Sequence, residues 1–274
     1  MQTRAKPFFL KIMNVLITGA ASGIGKATRD LFLRQGHSVF SIDVKPIEAK
    51  EGLCPFTADI TDEEALLSVF EALRQKQVRF QAIVNLAGVH DMLSFAETDT
   101  GRFRRLINVN LMGPICVNKV FHPLLDEKGR VVLITSEVAC LDPMPFNGGY
   151  TVTKTALDCY AQALRQELNL LGQKVITVRP GAVKTELCLS SISATQRLAD
   201  ETVLYKKQAA RFVRIAKRFM GTPAAPEKIA KLIYRASTVR RPRLLYKKHL
   251  NPGLILMNLL PKRAQLRLIK TILR

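Results

Sequence analysis

Apolar and polar positions along this chain follow two alternating periods. Five short runs rich in aliphatic and β-branched residues are Met13–Thr18, Ser38–Asp43, Gln81–Leu86, Arg130–Thr135 and Lys174–Arg179. Each is bounded by turn residues and reads as a buried strand. Cys54–Ala58 is a weaker sixth candidate and Arg243–Tyr246 a last one. Helical periodicity fills the gaps: from Lys26, over Ala65–Gln75, from Tyr150 and over Pro226–Ser237. Thr61-Asp62-Glu63-Glu64 predicts a capping box, with Thr61 accepting from the Glu64 amide. Strand–helix alternation with right-handed crossovers predicts an α/β fold, a doubly wound parallel sheet with helices on both faces. Past Gly181 the alternation weakens. Residues 183–222 read as a long excursion with a helix. The expected division is an α/β domain over 1–246 and a basic amphipathic helical C-terminal extension over 247–274.

A chain of 274 residues suits one large domain. No run of about 18 apolar residues exists, so no spanning helix is expected. In the segment Met1–Lys11 the apolar stretch Pro7–Leu10 is too short for a signal-peptide core. Cys54, Cys116, Cys140, Cys159 and Cys188 form no CxxC pair, so no disulfide framework or metal set is expected, and a cytoplasmic location follows. The formal charge of +20 is unevenly placed. Residues 205–274 hold 19 Lys and Arg against the single acid Glu227, a net +18, which leaves +2 for residues 1–204. Such asymmetry predicts one surface that meets an anion.

The first predicted strand runs into Thr18-Gly19-Ala20-Ala21-Ser22-Gly23-Ile24-Gly25 and then a helix. Glycines there allow a tight turn and close approach of backbone to a pyrophosphate, while the helix N-terminus supplies oriented N–H groups. Asp43 closes the second strand, where a carboxylate can hold ribose hydroxyls and repel a 2′-phosphate. That favours NAD; nearby Lys45 leaves NADP open. Tyr150 and Lys154 lie one helical turn apart and share a face. An ammonium beside a phenol favours phenolate and draws its pKa down, so Tyr150 could exchange a proton with an alcohol or carbonyl near neutral pH. Ser136 sits at the C-terminal end of a predicted strand, where ligands of open α/β sheets bind.

Together these motifs resemble the short-chain dehydrogenase/reductase family over about residues 12–190, and the resemblance implies a Rossmann-type fold. Thr18–Gly25 fits its TGxxxGxG loop, with Ser22, Gly23 and Ile24 at the cofactor. Asp59, followed by Ile60, fits the acid that holds the adenine amino group. Asn85-Leu86-Ala87-Gly88 fits the NNAG segment, with Leu86 replacing its second asparagine. Asn110 fits the asparagine that holds a helix kink and a proton-relay water. Ser136, Tyr150 and Lys154 fit the remaining catalytic positions; the serine–tyrosine spacing is 14, one above the usual, absorbed by a longer loop. Pro180-Gly181, Val183 and Thr185 fit the segment gripping the nicotinamide amide. The resemblance implies hydride transfer by a homodimer or homotetramer, with Tyr150 as acid or base, Lys154 on the nicotinamide ribose, Ser136 on the substrate oxygen and Asn110 supporting the relay.

The resemblance implies that the 183–222 excursion closes over the substrate as a lid; its apolar Leu187, Leu189, Ile192 and Leu198, with the Leu141–Phe146 loop, suit a hydrophobic secondary alcohol or ketone. The stretch around Pro145-Phe146 and Leu164–Leu168 resembles the hydroxysteroid and retinol dehydrogenase branch, which implies a lipid-like substrate. A 3-oxoacyl-thioester reductase and a non-catalytic dinucleotide-binding scaffold are the alternatives; the intact Ser136, Tyr150 and Lys154 favour an enzyme. Basic amphipathic helices are expected over 205–220, with Phe212, Ile215 and Phe219 on one face, and over 262–274, with Leu266, Ile269 and Leu273. Such helices can lie on an anionic membrane, so 205–220 and 247–274 are candidate peripheral membrane contacts; docking of their apolar faces on the body with the charges solvated, and contact with an anionic substrate carrier, are the alternatives. Nucleic-acid binding is not expected, for want of a zinc pattern or aromatic strand.

Overall fold

The computed structural model describes residues 12–219 and 222–274; the segment Met1–Lys11, Met220 and Gly221 lie outside the described residues. In chain order the elements begin with β1 (Asn14–Thr18), α1 (Gly23–Arg34), β2 (Ser38–Asp43) and β3 (Leu53–Thr57). There follow α2 (Glu63–Gln75), β4 (Phe80–Asn85), α3 (Thr100–Ile107), α4 (Gly113–Phe121) and β5 (Leu125–Ile134). Then come α5 (Gly148–Leu170), β6 (Lys174–Pro180), α6 (Glu186–Glu201), α7 (Lys206–Phe219) and α8 (Pro226–Thr238). The chain closes with β7 (Leu245–Lys248), α9 (Pro252–Asn258) and α10 (Lys262–Leu273).

The strands form one seven-stranded sheet in the order β3-β2-β1-β4-β5-β6-β7, and every pairing is parallel. A parallel sheet needs both faces covered, and the strand side chains show why this one is. Val15 and Ile17 of β1, with Ala82 and Val84 of β4, join Phe32, Ile229 and Ile233 of α1 and α8 on one face. Leu16 and Ile83, one position out of phase, meet Leu66, Val117, Phe121 and Leu157 of α2, α4 and α5 on the other. A third cluster, Met92, Ala194, Leu198, Phe212 and Leu273, lies apart from both and joins α6, α7 and α10.

Several local expectations shift, the largest at β5, which begins five residues before the expected Arg130. β3 spans Leu53–Thr57 and β7 Leu245–Lys248, each displaced by one or two residues because register is set by the neighbouring strand. The cap of α2 is Asp62, whose carboxylate accepts from the Ala65 amide at 3.0 Å. Thr61 instead donates its hydroxyl to Asp59 at 2.8 Å, so no Thr61–Glu64 capping box forms. A carboxylate one residue later meets the positive helix end, which favours it over a neutral hydroxyl.

Phe32 of α1 is fully buried, with its ring 5.0 Å from that of Tyr234 on α8. Phe32→Ala is expected to lower the unfolding free energy by about 3–5 kcal/mol. Leu170→Ser, at an 85% exposed position, should change it by no more than about 0.5 kcal/mol. Urea titration followed by circular dichroism measures both.

Candidate active site

The site begins where β1 and β4 end. Thr18 Oγ1 accepts from the backbone amides of Leu86 and Ala87 at 3.2 and 3.3 Å, tying the two strand-end loops together. Gly19 has φ +69°, and a Cβ there would lie 2.6 Å from the Ala87 nitrogen. At Gly25 a Cβ would lie 1.8 Å from the Gly19 carbonyl oxygen. The loop therefore closes only with glycine at both positions. No acidic side chain occupies the first turn of α1, and Ser22 does not cap it. Its N–H groups remain available to an anion. Asp43 braces the loop, accepting from the Ala21 amide on one oxygen and the Lys45 amide on the other, both at 2.9 Å. The Lys45 ammonium reaches across to Glu186, the first residue of α6, at 2.9 Å.

These groups border a cavity of about 1430 Å³ that runs from Asp43, Asp59 and Ile60, past Gly88, to Tyr150, Lys154 and Thr185. Of the sequence-predicted residues, Gly19, Ser22, Gly23, Ile24, Gly25, Ala87, Ser136, Pro180, Gly181 and Val183 also line it. Thr18, Asn85 and Asn110 stand behind the wall. Asn85 is buried and donates to Asn118 at 2.9 Å, away from the cavity.

Tyr150 and Lys154 project from the first turns of α5. Lys154 Nζ lies 5.8 Å from the tyrosine ring centroid and donates to the Ile134 carbonyl at 3.2 Å. Ser136 follows β5 and its hydroxyl comes close enough to Tyr150 to favour the phenolate, so the longer serine–tyrosine loop still brings the two together. The expected downward pull on the phenol is absent here. Burial, with the negative charge of Glu137, outweighs the Ser136 hydroxyl and pushes Tyr150 up to about 12. Burial also lowers Lys154 to about 8, so the ammonium that was to stabilise a phenolate is itself strained toward neutrality.

Asn110 is fully buried in a π-helical turn, Asn108–Met112, that joins α3 to α4. Its carboxamide accepts from the Val89 amide at 2.8 Å and donates to the Val89 carbonyl at 2.9 Å. A further contact to Thr153 at 3.2 Å clamps the loop after β4 onto α5.

Sequence reasoning missed two parts of the site. His90 stacks against Tyr150 with ring centroids 4.5 Å apart, and its Nε2 lies 3.2 Å from Asn147 Oδ1. Burial lowers it to about 4, so the imidazole is neutral. The other part is the C-terminal extension. Leu254 and Met257 of α9 and Ile269 and Leu273 of α10 line the tyrosine end of the cavity, with Met144 and Phe212. No local pattern distinguishes these leucines from those of a free tail.

Residues 13–196 match the family described as short chain dehydrogenase. The chain is 28% identical over 240 residues to the probable oxidoreductase EphD of Mycobacterium tuberculosis, covering 83% of this chain but 40% of that protein. It is 29% identical over 253 residues to human retinol dehydrogenase 5, covering 85% of this chain and 79% of that one. The 3-ketoacyl-(acyl-carrier-protein) reductase from Brucella melitensis, solved with NADH, superposes with TM-score 0.69 at 20% identity, over 87% of this chain and 97% of that one.

Lys154 carries a pH signature. Its folded pKa of about 8 lies below the ordinary 10.5, so the unfolded chain binds more protons between these values. Stability contributed at this position therefore rises with pH across that window. In Lys154→Met the rise is expected to vanish. The difference between the two stability–pH curves, from urea titrations at pH 7 to 10.5, isolates it.

Proposed function

The chain belongs to the short chain dehydrogenase family, and on that premise we propose that it transfers a hydride between NAD(H) and a hydrophobic secondary alcohol or ketone at the Ser136–Tyr150–Lys154 cluster. The observation that carries this reading is the convergence of those three side chains at one end of a cavity whose other end is a glycine-walled cradle. The cradle fits a dinucleotide: Cβ atoms at Gly19 and Gly25 would collide with the loop backbone, and the cavity exceeds the roughly 300–1,000 Å³ of common ligand pockets. Loop amides at the α1 N-terminus would take the pyrophosphate, Asp59 the adenine and Asp43 the adenosine ribose. Lys154 would take the second ribose; Pro180, Gly181, Val183 and Thr185 would border the nicotinamide. The bound dinucleotide supplies or accepts the hydride.

The chain's own residues supply orientation and the proton. Tyr150 is held protonated through neutral pH by burial, so its hydroxyl is set to donate to a ketone oxygen. Ser136 holds the same oxygen and polarises it. Asn110 fixes the Val89 backbone, and through it the position of Gly88 against Lys154. Lys154 Nζ, anchored on the Ile134 carbonyl, keeps its distance from the tyrosine ring. Around the reacting end, Met92, Leu141, Met144, Phe212, Leu254 and Met257 exclude water and select an apolar substrate, lipid-like in bulk. The likeness to retinol dehydrogenase 5 supports that class.

Two outcomes test the reading. Tyr150→Phe should lower kcat/KM for ketone reduction by about 10²–10⁴-fold, with dinucleotide affinity by calorimetry nearly unchanged. Full turnover in that variant, on steroid or retinoid ketones and aldehydes that the wild type reduces, removes the proposal. Cofactor choice is the second. Glu186 engages the Lys45 ammonium that would otherwise meet a 2′-phosphate. Glu186→Gln should raise NADP⁺ affinity relative to NAD⁺ by up to about fivefold, the scale of an exposed ion pair. Calorimetric titration with both dinucleotides reads it.

A further inference from the structure

The C-terminal charge has a more specific address than its sequence pattern shows. In α7 the apolar side is not free for a lipid surface: Ala209, Phe212 and Val213 are buried. Phe212 meets Phe146 ring to ring at 5.5 Å, and the same helix borders the cavity. Among the described side chains of α7, Lys206, Lys207, Arg211 and Arg214 are exposed, while the side chain of Phe219, expected on the apolar face, lies outside the described residues. The expected apolar face of α10 is likewise split. Ile269 and Leu273 line the cavity, while Leu266 is 68% exposed.

The α9–α10 arm thus has two sides. Its inner side, Leu254, Met257, Ile269 and Leu273, is a wall of the chamber beside Tyr150. Its outer side leaves Leu256 66% and Leu259 75% exposed, one helical turn apart, along with Leu266. Arg263 and Lys270 lie three and four residues from Leu266 on the same side of the helix, Arg267 flanks it, and all three are exposed. No acidic residue follows Glu227 in the sequence. The arm is held firmly rather than hanging free. Asp142 donates its amide to Asn258 at 2.6 Å and accepts from Gln265 at 3.0 Å, with Lys262 as its ion-pair partner. Glu137, next to Ser136, accepts from the Asn251 amide. Exposed leucines on a fixed arm whose own helices carry cations and no acidic side chain, with Lys262 drawn to Asp142, match an interface of apolar chains beneath anionic headgroups. Among the described residues no helix is long and apolar enough to cross a membrane.

We propose that the outer edge of the α9–α10 arm, Leu256, Leu259 and Leu266 with Arg263, Arg267 and Lys270, docks the protein on an anionic bilayer surface, and that the arm's inner side passes a lipid-borne substrate to Tyr150. The second half rests on the lipid-like substrate reading; the docking itself does not. Charge selects the bilayer over a second copy of the chain, because two such edges would repel. Insertion of the leucines places the chamber wall against the acyl region, so an apolar molecule reaches the site without crossing water.

The test is flotation of the full chain with phosphatidylcholine vesicles, with and without phosphatidylglycerol, in the absence of substrate. The wild type should float with the anionic vesicles alone. Leu256→Ser/Leu259→Ser/Leu266→Ser and Arg263→Gln/Arg267→Gln/Lys270→Gln should each reduce the bound-to-free ratio by about tenfold or more. Both variants are first shown to bind dinucleotide and to melt as the wild type does. The proposal is overturned if the wild type ignores anionic vesicles or if the leucine variant binds them undiminished. A leucine variant that splits a wild-type dimer, with no flotation in either protein, assigns the edge to a second copy and overturns it too. Turnover of a water-soluble ketone, measured without vesicles, reports separately on the enzyme assignment.

Discussion

Two backbone segments approach each other where β1 and β4 end, more closely than any side chain permits. The Gly19 α-carbon faces the Ala87 backbone with no room for a Cβ, and Thr18 bridges the same pair through two amides. This contact joins the loop proposed to hold a pyrophosphate to the loop that leads into Gly88, Val89 and His90. Asn110 then fixes Val89 by a reciprocal pair of hydrogen bonds, and Thr153 links that clamp to α5. The position of Tyr150 and Lys154 relative to the cradle is thereby set through backbone contacts rather than flexible side chains. Such contacts have few alternative arrangements, which is what preorganisation requires.

Electrostatics at the reacting end follow from burial more than from pairing. Tyr150 and Lys154 both lie in a region that penalises charge, and both move toward their neutral forms. His90, stacked on the tyrosine, is neutral for the same reason. At neutral pH the cluster therefore presents a protonated phenol and a neutral imidazole beside a Lys154 ammonium weakened by burial. A phenol in that state is a donor, which matches carbonyl reduction, and a positive charge brought into the cavity would oppose the shift of the phenol.

The C-terminal arm connects chemistry to surroundings. Glu137 and Asp142 belong to the segment between Ser136 and Tyr150, and both hold the arm. The loop between Ser136 and Tyr150 is therefore also the anchor for the apolar chamber wall.

Strand periodicity, the glycine loop and the Tyr–Lys spacing were legible in the sequence because each depends on local geometry: period two, a tight turn, one helical turn. Residues such as Ser22, Asp43 and Thr185 reached the cavity for that reason. Boundaries moved where a neighbour decided, as β7 did when its register followed β6. The sequence could not separate Leu254 from Leu256, or Leu273 from Leu266, since each pair has one composition and one helical context. Nor could it place His90 on Tyr150, 60 positions away in the chain. Local pattern determined which elements form and which carry the chemistry. Only tertiary packing decided which face of each C-terminal helix is chamber and which is surface, because burial depends on what the rest of the chain brings alongside.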